Sequence, residues 1–162
     1  MNEFKETQRF NQWWIWLVGL APVVIVLSQA AVIVFGEEKV NTDALVAMGF
    51  VLLIVLLSFW WMKLLRLELV INGDYIRVEF KGLIFAKRII RWGEIETAEV
   101  VTYDPLWEYG GWGVKYGLKK GWCYNVSGDK GLLLNLKNGK KFMIGTQKPD
   151  ELQVFLLSEK KG

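Results

Sequence analysis

Few side chains in this 162-residue sequence suit covalent or acid–base chemistry, and their pattern is informative mainly by what it leaves out. There is no histidine, and Cys123 is the only cysteine. Within one chain this excludes a disulfide scaffold, a Cys/His zinc cluster and any triad built on an imidazole base. Cys123 lies in a strand-like run without a histidine to activate it, so it reads as a packed thiol. Asp104, Glu108 and Tyr109 are the remaining acid–base set, beside a run of glycines. Gly111-x-Gly113-x-x-x-Gly117 has the wrong spacing and setting for a dinucleotide loop, and no phosphate loop is present. No enzymatic activity, metal site or cofactor is expected.

The densest cluster of binding-type side chains is the glycine-and-aromatic stretch from Pro105 to Gly117. Trp107, Tyr109, Trp112 and Tyr116 supply large contact surfaces there, and Lys119 and Lys120 follow, completing the candidate binding set. The stretch has no helical period. It reads as a ligand-binding loop, a loop touching a membrane, or an irregular connection packed over a sheet edge. In the membrane reading, Trp107 and Trp112 meet headgroups while Lys87, Arg88, Lys119 and Lys120 meet anionic lipid.

Strands must position these residues. Leu67–Ile71 and Tyr75–Phe80 alternate apolar and polar around Asn72-Gly73, and Leu132–Lys137 and Lys140–Ile144 do so around Asn138-Gly139, predicting two hairpins. Further strands are predicted at Ile84–Arg91, Thr97–Tyr103 and Gly121–Val126, with a helical turn at Trp92–Ile95. Pro149, Asp150 and Glu151 open a final helix whose Leu152, Phe155 and Leu156 face the sheet, with Lys160 and Lys161 at its negative end. Gly145 to Pro149 reads as the strand-to-helix junction, with Thr146 or Lys148 near the cap.

Ahead of this domain lie two uncharged apolar runs, each long enough for a spanning helix of roughly 20 residues. The sequence divides into an N-terminal cytoplasmic segment (1–12), a first span (13–35), an external loop (36–43), a second span (44–65) and a cytoplasmic domain (66–162). Ser28-Gln29-Ala30 resembles a signal cleavage site, but the apolar run continues beyond it. Trp13, Trp14, Trp16, Trp60 and Trp61 are expected as interface anchors, with Lys63 and Arg66 reaching back to the headgroups. The loop is acidic, so the positive-inside rule puts both termini in the cytoplasm and the protein in the inner membrane. A net charge of +3 without a basic run argues against nucleic-acid binding.

Tyr109-Gly110-Gly111-Trp112-Gly113 and the end from Gly139 to Leu152, set behind two N-terminal spans, resemble small, uncharacterised bacterial membrane proteins carrying a pleckstrin-homology-like (PH-like) domain. The resemblance implies an α+β, mostly β fold: an antiparallel bent sheet or partial β-barrel capped by a C-terminal helix, behind a transmembrane α-helical hairpin. Phosphoinositide-binding members use a basic cluster in the first hairpin loop. Asn72-Gly73-Asp74 is short and acidic at its tip, so that site does not carry over. The expected function is a membrane-anchored, non-enzymatic binding or scaffold module presenting the domain to a protein partner. The alternative is binding of the anionic lipid surface.

Overall fold

Two Asn-Gly turns set the register of the domain. At the first, the Asn72 side-chain oxygen accepts from the backbone N–H groups of Asp74 and Tyr75, at 3.0 and 2.9 Å. It joins β2 (Arg66–Ile71) to β3 (Tyr75–Lys81), and Leu67, Leu69, Ile71, Ile76, Val78 and Phe80 all turn to one buried face. At the second, Asn138 accepts from the Lys140 N–H at 3.0 Å and links β8 (Lys130–Leu136) to β9 (Lys141–Gly145). Both predicted hairpins are present.

The computed structural model of the chain describes residues 3–36, 42–83 and 86–159, with the side chains at 14, 16, 18, 33, 34 and 159 left aside. Most of the predicted external loop, the predicted strand start at Ile84-Phe85, the terminal Lys160 and Lys161, and the side chains of Trp14 and Trp16 lie outside the described residues.

The chain divides into two compact units, Met1–Phe10 with Leu65–Gly162, and Asn11–Leu64. The second unit holds α1 (Trp13–Phe35) and α2 (Thr42–Leu64). Among the described residues α2 alone is long and apolar enough to cross a membrane; the described apolar stretch of α1, Gly19–Val32, is shorter. No residue of α2 is buried: Leu45, Met48, Leu52, Val55, Phe59 and Met62 are half-buried along one stripe, and most of its other apolar side chains are exposed. Gly19 and Phe59 bring the helices together: a methyl group at Gly19 would overlap the Phe59 ring.

The first unit contains a strand from the N-terminal segment 1–12, which is expected from the sequence to lie outside the domain. Phe4–Arg9 forms β1, antiparallel to β2, with Arg9 opposite Arg66 and Phe4 opposite Ile71. With β4 (Lys87–Arg91), they form a sheet of order β1-β2-β3-β4. The domain is therefore discontinuous, and the helices are an insertion between two paired strands. Its inward row is Phe4, Glu6 and Gln8. Glu6 accepts from the Thr146 hydroxyl and from the Gln147 N–H, both at 2.6 Å, and the Gln8 amide donates to the Gly145 carbonyl at 2.6 Å. Thr146 in turn accepts from the Lys148 N–H at 3.0 Å, which fits its expected place at the start of α4 (Pro149–Glu159).

Beyond β4, a single 3₁₀ turn (Trp92–Glu94) leads into β5 (Ile95–Thr102), and the Trp92 indole donates to the Asn72 carbonyl at 2.7 Å. This turn separates β4 and β5 rather than pairing them. The expected single bent sheet or partial barrel is therefore two open sheets, and the described residues contain no closed barrel. The second sheet adds β6 (Gly113–Gly117) and β7 (Gly121–Asn125) in the order β5-β8-β9-β7-β6. It is not wholly antiparallel as expected: β9 lies between β8 and β7 and runs parallel to β7. The inner faces of both sheets share one core with Leu152 and Leu156 of α4, while the Phe155 ring sits 6.0 Å from that of Phe4.

Two outcomes follow from the role of β1. Replacing residues 11–64 by a short turn from Phe10 to Leu65 should give a soluble domain, because antiparallel Cα partners lie only about 5 Å apart. The same protein beginning at Leu65 should melt at least about 10 °C lower, having lost a strand and left an apolar edge open; equal melting temperatures would count against the assignment. Burial raises the Glu6 carboxyl above its usual range. The folded state then binds a proton at Glu6 that the unfolded chain does not, and this contribution to stability is lost as pH rises through the folded-state value. The melting-temperature difference between the parent and Glu6→Gln should therefore change with pH in mildly acidic buffers, the parent falling relative to the variant as pH rises.

Candidate functional site

The predicted acid–base residues are each held by a structural contact. Asp104 caps α3 (Pro105–Tyr109), accepting from the N–H groups of Leu106 and Trp107 at 2.9 and 3.0 Å. Pro105 takes the first helical position, and Gly110 ends the helix in the left-handed region at φ 73°. This short helix was not expected from the sequence, although Asp-Pro before it and Gly after it are its signals. Glu108 pairs with Lys120 at 3.3 Å. Tyr109 is buried against the outer face of the second sheet, with its hydroxyl 3.4 Å from the Lys120 carbonyl.

Below α3, Tyr103, Tyr109, Cys123 and Met143 make a second small core. The Tyr103 and Tyr109 rings meet edge-on at 5.9 Å. Asn125 donates to the Tyr103 hydroxyl and accepts from the Gly113 N–H, both at 2.9 Å, which ties the glycine-rich stretch to β7. Burial holds both tyrosine hydroxyls well above their usual range and pushes the Cys123 thiol up to about 12.

The expected binding residues do not form one site. Trp107 is 90% exposed on α3 beside the exposed Leu106. Trp112 is half-buried, its indole 3.4 Å from the Gly128 carbonyl, and walls an open cleft of about 550 Å³ with Asp104, Glu108 and Asp129. Tyr116 and Lys119 lie instead in a cleft of about 300 Å³ at the β6–β7 and β8–β9 turns. There Tyr116 is paired across the strands with Trp122, their rings 5.3 Å apart. Lys140 and Lys141 complete the cationic wall, and Arg88 from β4 places its guanidinium 5.9 Å from the Trp122 ring centre.

Gly121 allows the two turns to approach. It sits at φ 77°, and a side chain there would run into the Lys141 carbonyl. Trp122, Leu118, Lys140 and Lys141 were absent from the expected site. The available signal was the Tyr116/Trp122 pairing around a turn closed by Gly117 and Gly121, but nothing local places β9 beside β7.

Of the residues expected as membrane anchors, Trp13, Trp60 and Trp61 are exposed, and the Gly19–Phe59 contact puts the start of α1 beside the end of α2. Arg66 is the first residue of β2 and pairs with Glu68 at 2.9 Å. Compared with protein-family models, curated proteins and solved structures, the chain matches none.

With its thiol buried and its pKa near 12, Cys123 carries a negligible thiolate fraction at pH 8. Iodoacetamide at pH 7 to 9 should leave it unmodified in the folded protein and alkylate it on denaturation, as read by intact mass. Rapid native alkylation would contradict the packed-thiol assignment.

Proposed function

We propose that the protein is a membrane-anchored, non-enzymatic binding module. Its two helices form a two-span hairpin, and its sheet domain is held at the inner face of the cytoplasmic membrane, where it is presented to a partner. The observation that carries this reading is the pairing of β1 with β2. Both ends of the Asn11–Leu64 unit enter one sheet, so the chain leaves and re-enters the domain on the same side of any bilayer. If α2 crosses, α1 must cross back. The exposed apolar surface of α2 and the tryptophans Trp13, Trp60 and Trp61 at one end of the helix pair support the anchor. Arg9 and Arg66 at the junction, set against Glu37, Glu38 and Asp43 around the inter-helix loop, support the cytoplasmic orientation.

The non-enzymatic part rests on the contacts that occupy Asp104, Glu108, Tyr109 and Cys123. A PH-like domain is supported by the antiparallel β1–β4 meander, the second sheet and a final helix on their shared core. Trp107 and Leu106, exposed on a capped helix, are the surface best suited to a protein partner, since tryptophan commonly anchors such contacts.

Topology is directly testable because Cys123 is buried. Asn41→Cys should react with a membrane-impermeant maleimide in intact cells, whereas Leu118→Cys, at a position 94% exposed on the domain, should react only after permeabilisation. Labelling of both from one side would overturn the two-span reading.

A further inference from the structure

Resting on the anchor just described, we propose that the cleft lined by Tyr116, Trp122, Lys119, Lys140 and Lys141, with Arg88 beside it, binds anionic phospholipid headgroups of the bilayer in which the helices sit. Three observations converge on this occupant. The first is charge: three lysines line the cleft, an arginine flanks it, and no carboxylate is among the lining residues. Among the described residues none of these four cations is in an ion pair, whereas Lys120, Lys81, Lys148 and Arg66 each have a carboxylate partner.

The second observation is the apolar tip. Leu118 is 94% exposed in the β6–β7 turn, next to Tyr116 at 58% and Trp122 at 38%. Aromatic rings beside lysines, led by a bare leucine, match the layering of a membrane interface, where charge meets phosphate and apolar groups enter the acyl boundary.

The third is tethering. A single residue, Leu65, separates α2 from β2, and β1 is followed within four residues by α1. The row Arg9, Arg66 and Lys81 is thus held at the junction with the helices. Arg88 lies opposite Val78, three residues along β3 from Lys81, which is about 10 Å of strand. With connections this short, the domain that carries the cleft stays tethered to the bilayer that holds the helices.

The test uses the full chain reconstituted in nanodiscs of phosphatidylcholine, with or without phosphatidylglycerol. A fluorophore on Lys137→Cys, exposed in the neighbouring β8–β9 turn, reports polarity and access to aqueous iodide. With phosphatidylglycerol the label should shift to the blue and become protected from iodide, and added salt should reverse both changes. The combined variant Lys119→Gln, Lys140→Gln and Lys141→Gln should weaken the response about tenfold or more. Leu118→Asn, at a fully solvated turn position where folding is not at risk, should reduce the blue shift.

An equal response in phosphatidylcholine alone, or an undiminished one in the triple variant, would overturn the proposal and leave this face for a protein partner. The same response to inorganic phosphate in neutral nanodiscs would assign the cleft to a free anion instead. Release of the protein by alkaline carbonate would overturn the anchor, and the proposal with it. Retention without any phosphatidylglycerol response would overturn the proposal alone.

Discussion

The antiparallel pairing of β1 with β2 is the constraint on which the rest of the molecule depends. It makes residues 4–9 part of a domain whose remaining strands begin nearly sixty residues later, and it brackets both helices between two neighbouring strands. Main-chain hydrogen bonds alone would leave β1 an ordinary edge strand, since such strands fray and exchange. Its inward side chains hold it further. Glu6 and Gln8 reach across to residues 145–147, where β9 turns into α4. One six-residue strand therefore ties the first sheet to the second and to the final helix, besides fixing where the helical insertion leaves and returns.

A buried carboxylate is a costly choice for that role, because desolvation opposes its charge and raises its proton affinity. The site offsets this with two short hydrogen bonds, one from a hydroxyl and one from the main chain. Removing the partner on either side would leave a buried polar group unsatisfied, which is more damaging than exchanging both for apolar groups. The polar contact thus gives β1 one register and one partner, which a row of leucines would specify less sharply.

The second sheet separates two kinds of surface that a single glycine-and-aromatic stretch had suggested as one. Its outer face is sealed by α3, with Tyr109 and Cys123 inside and Trp107 outside. Its far end gathers Tyr116, Trp122 and the lysines of two turns. The same short segment therefore contributes packing at Tyr109, a half-buried brace at Trp112 and an exposed ring at Tyr116. Residue type alone does not distinguish these roles, because aromatics serve cores and interfaces equally well.

Local pattern was enough for the elements whose signals are local. The two Asn-Gly hairpins, the stripe of Leu152, Phe155 and Leu156 on α4, the span-length apolar run of α2 and the absence of any histidine could all be read from neighbours in the chain. β1 could not, because two of its three inward residues are Glu6 and Gln8. Its periodicity is polar on both faces, and its partner strand is remote in sequence. The parallel β7–β9 pair was hidden for a similar reason: β8 intervenes in sequence, and only the packed sheet reveals that β9 lies between β8 and β7. The cationic aromatic cleft follows from that placement. Sequence determined the kinds of strand, turn and helix the chain would make; tertiary structure alone decided which distant residues meet, because hydrogen bonds between strands depend on register in space rather than spacing in the chain.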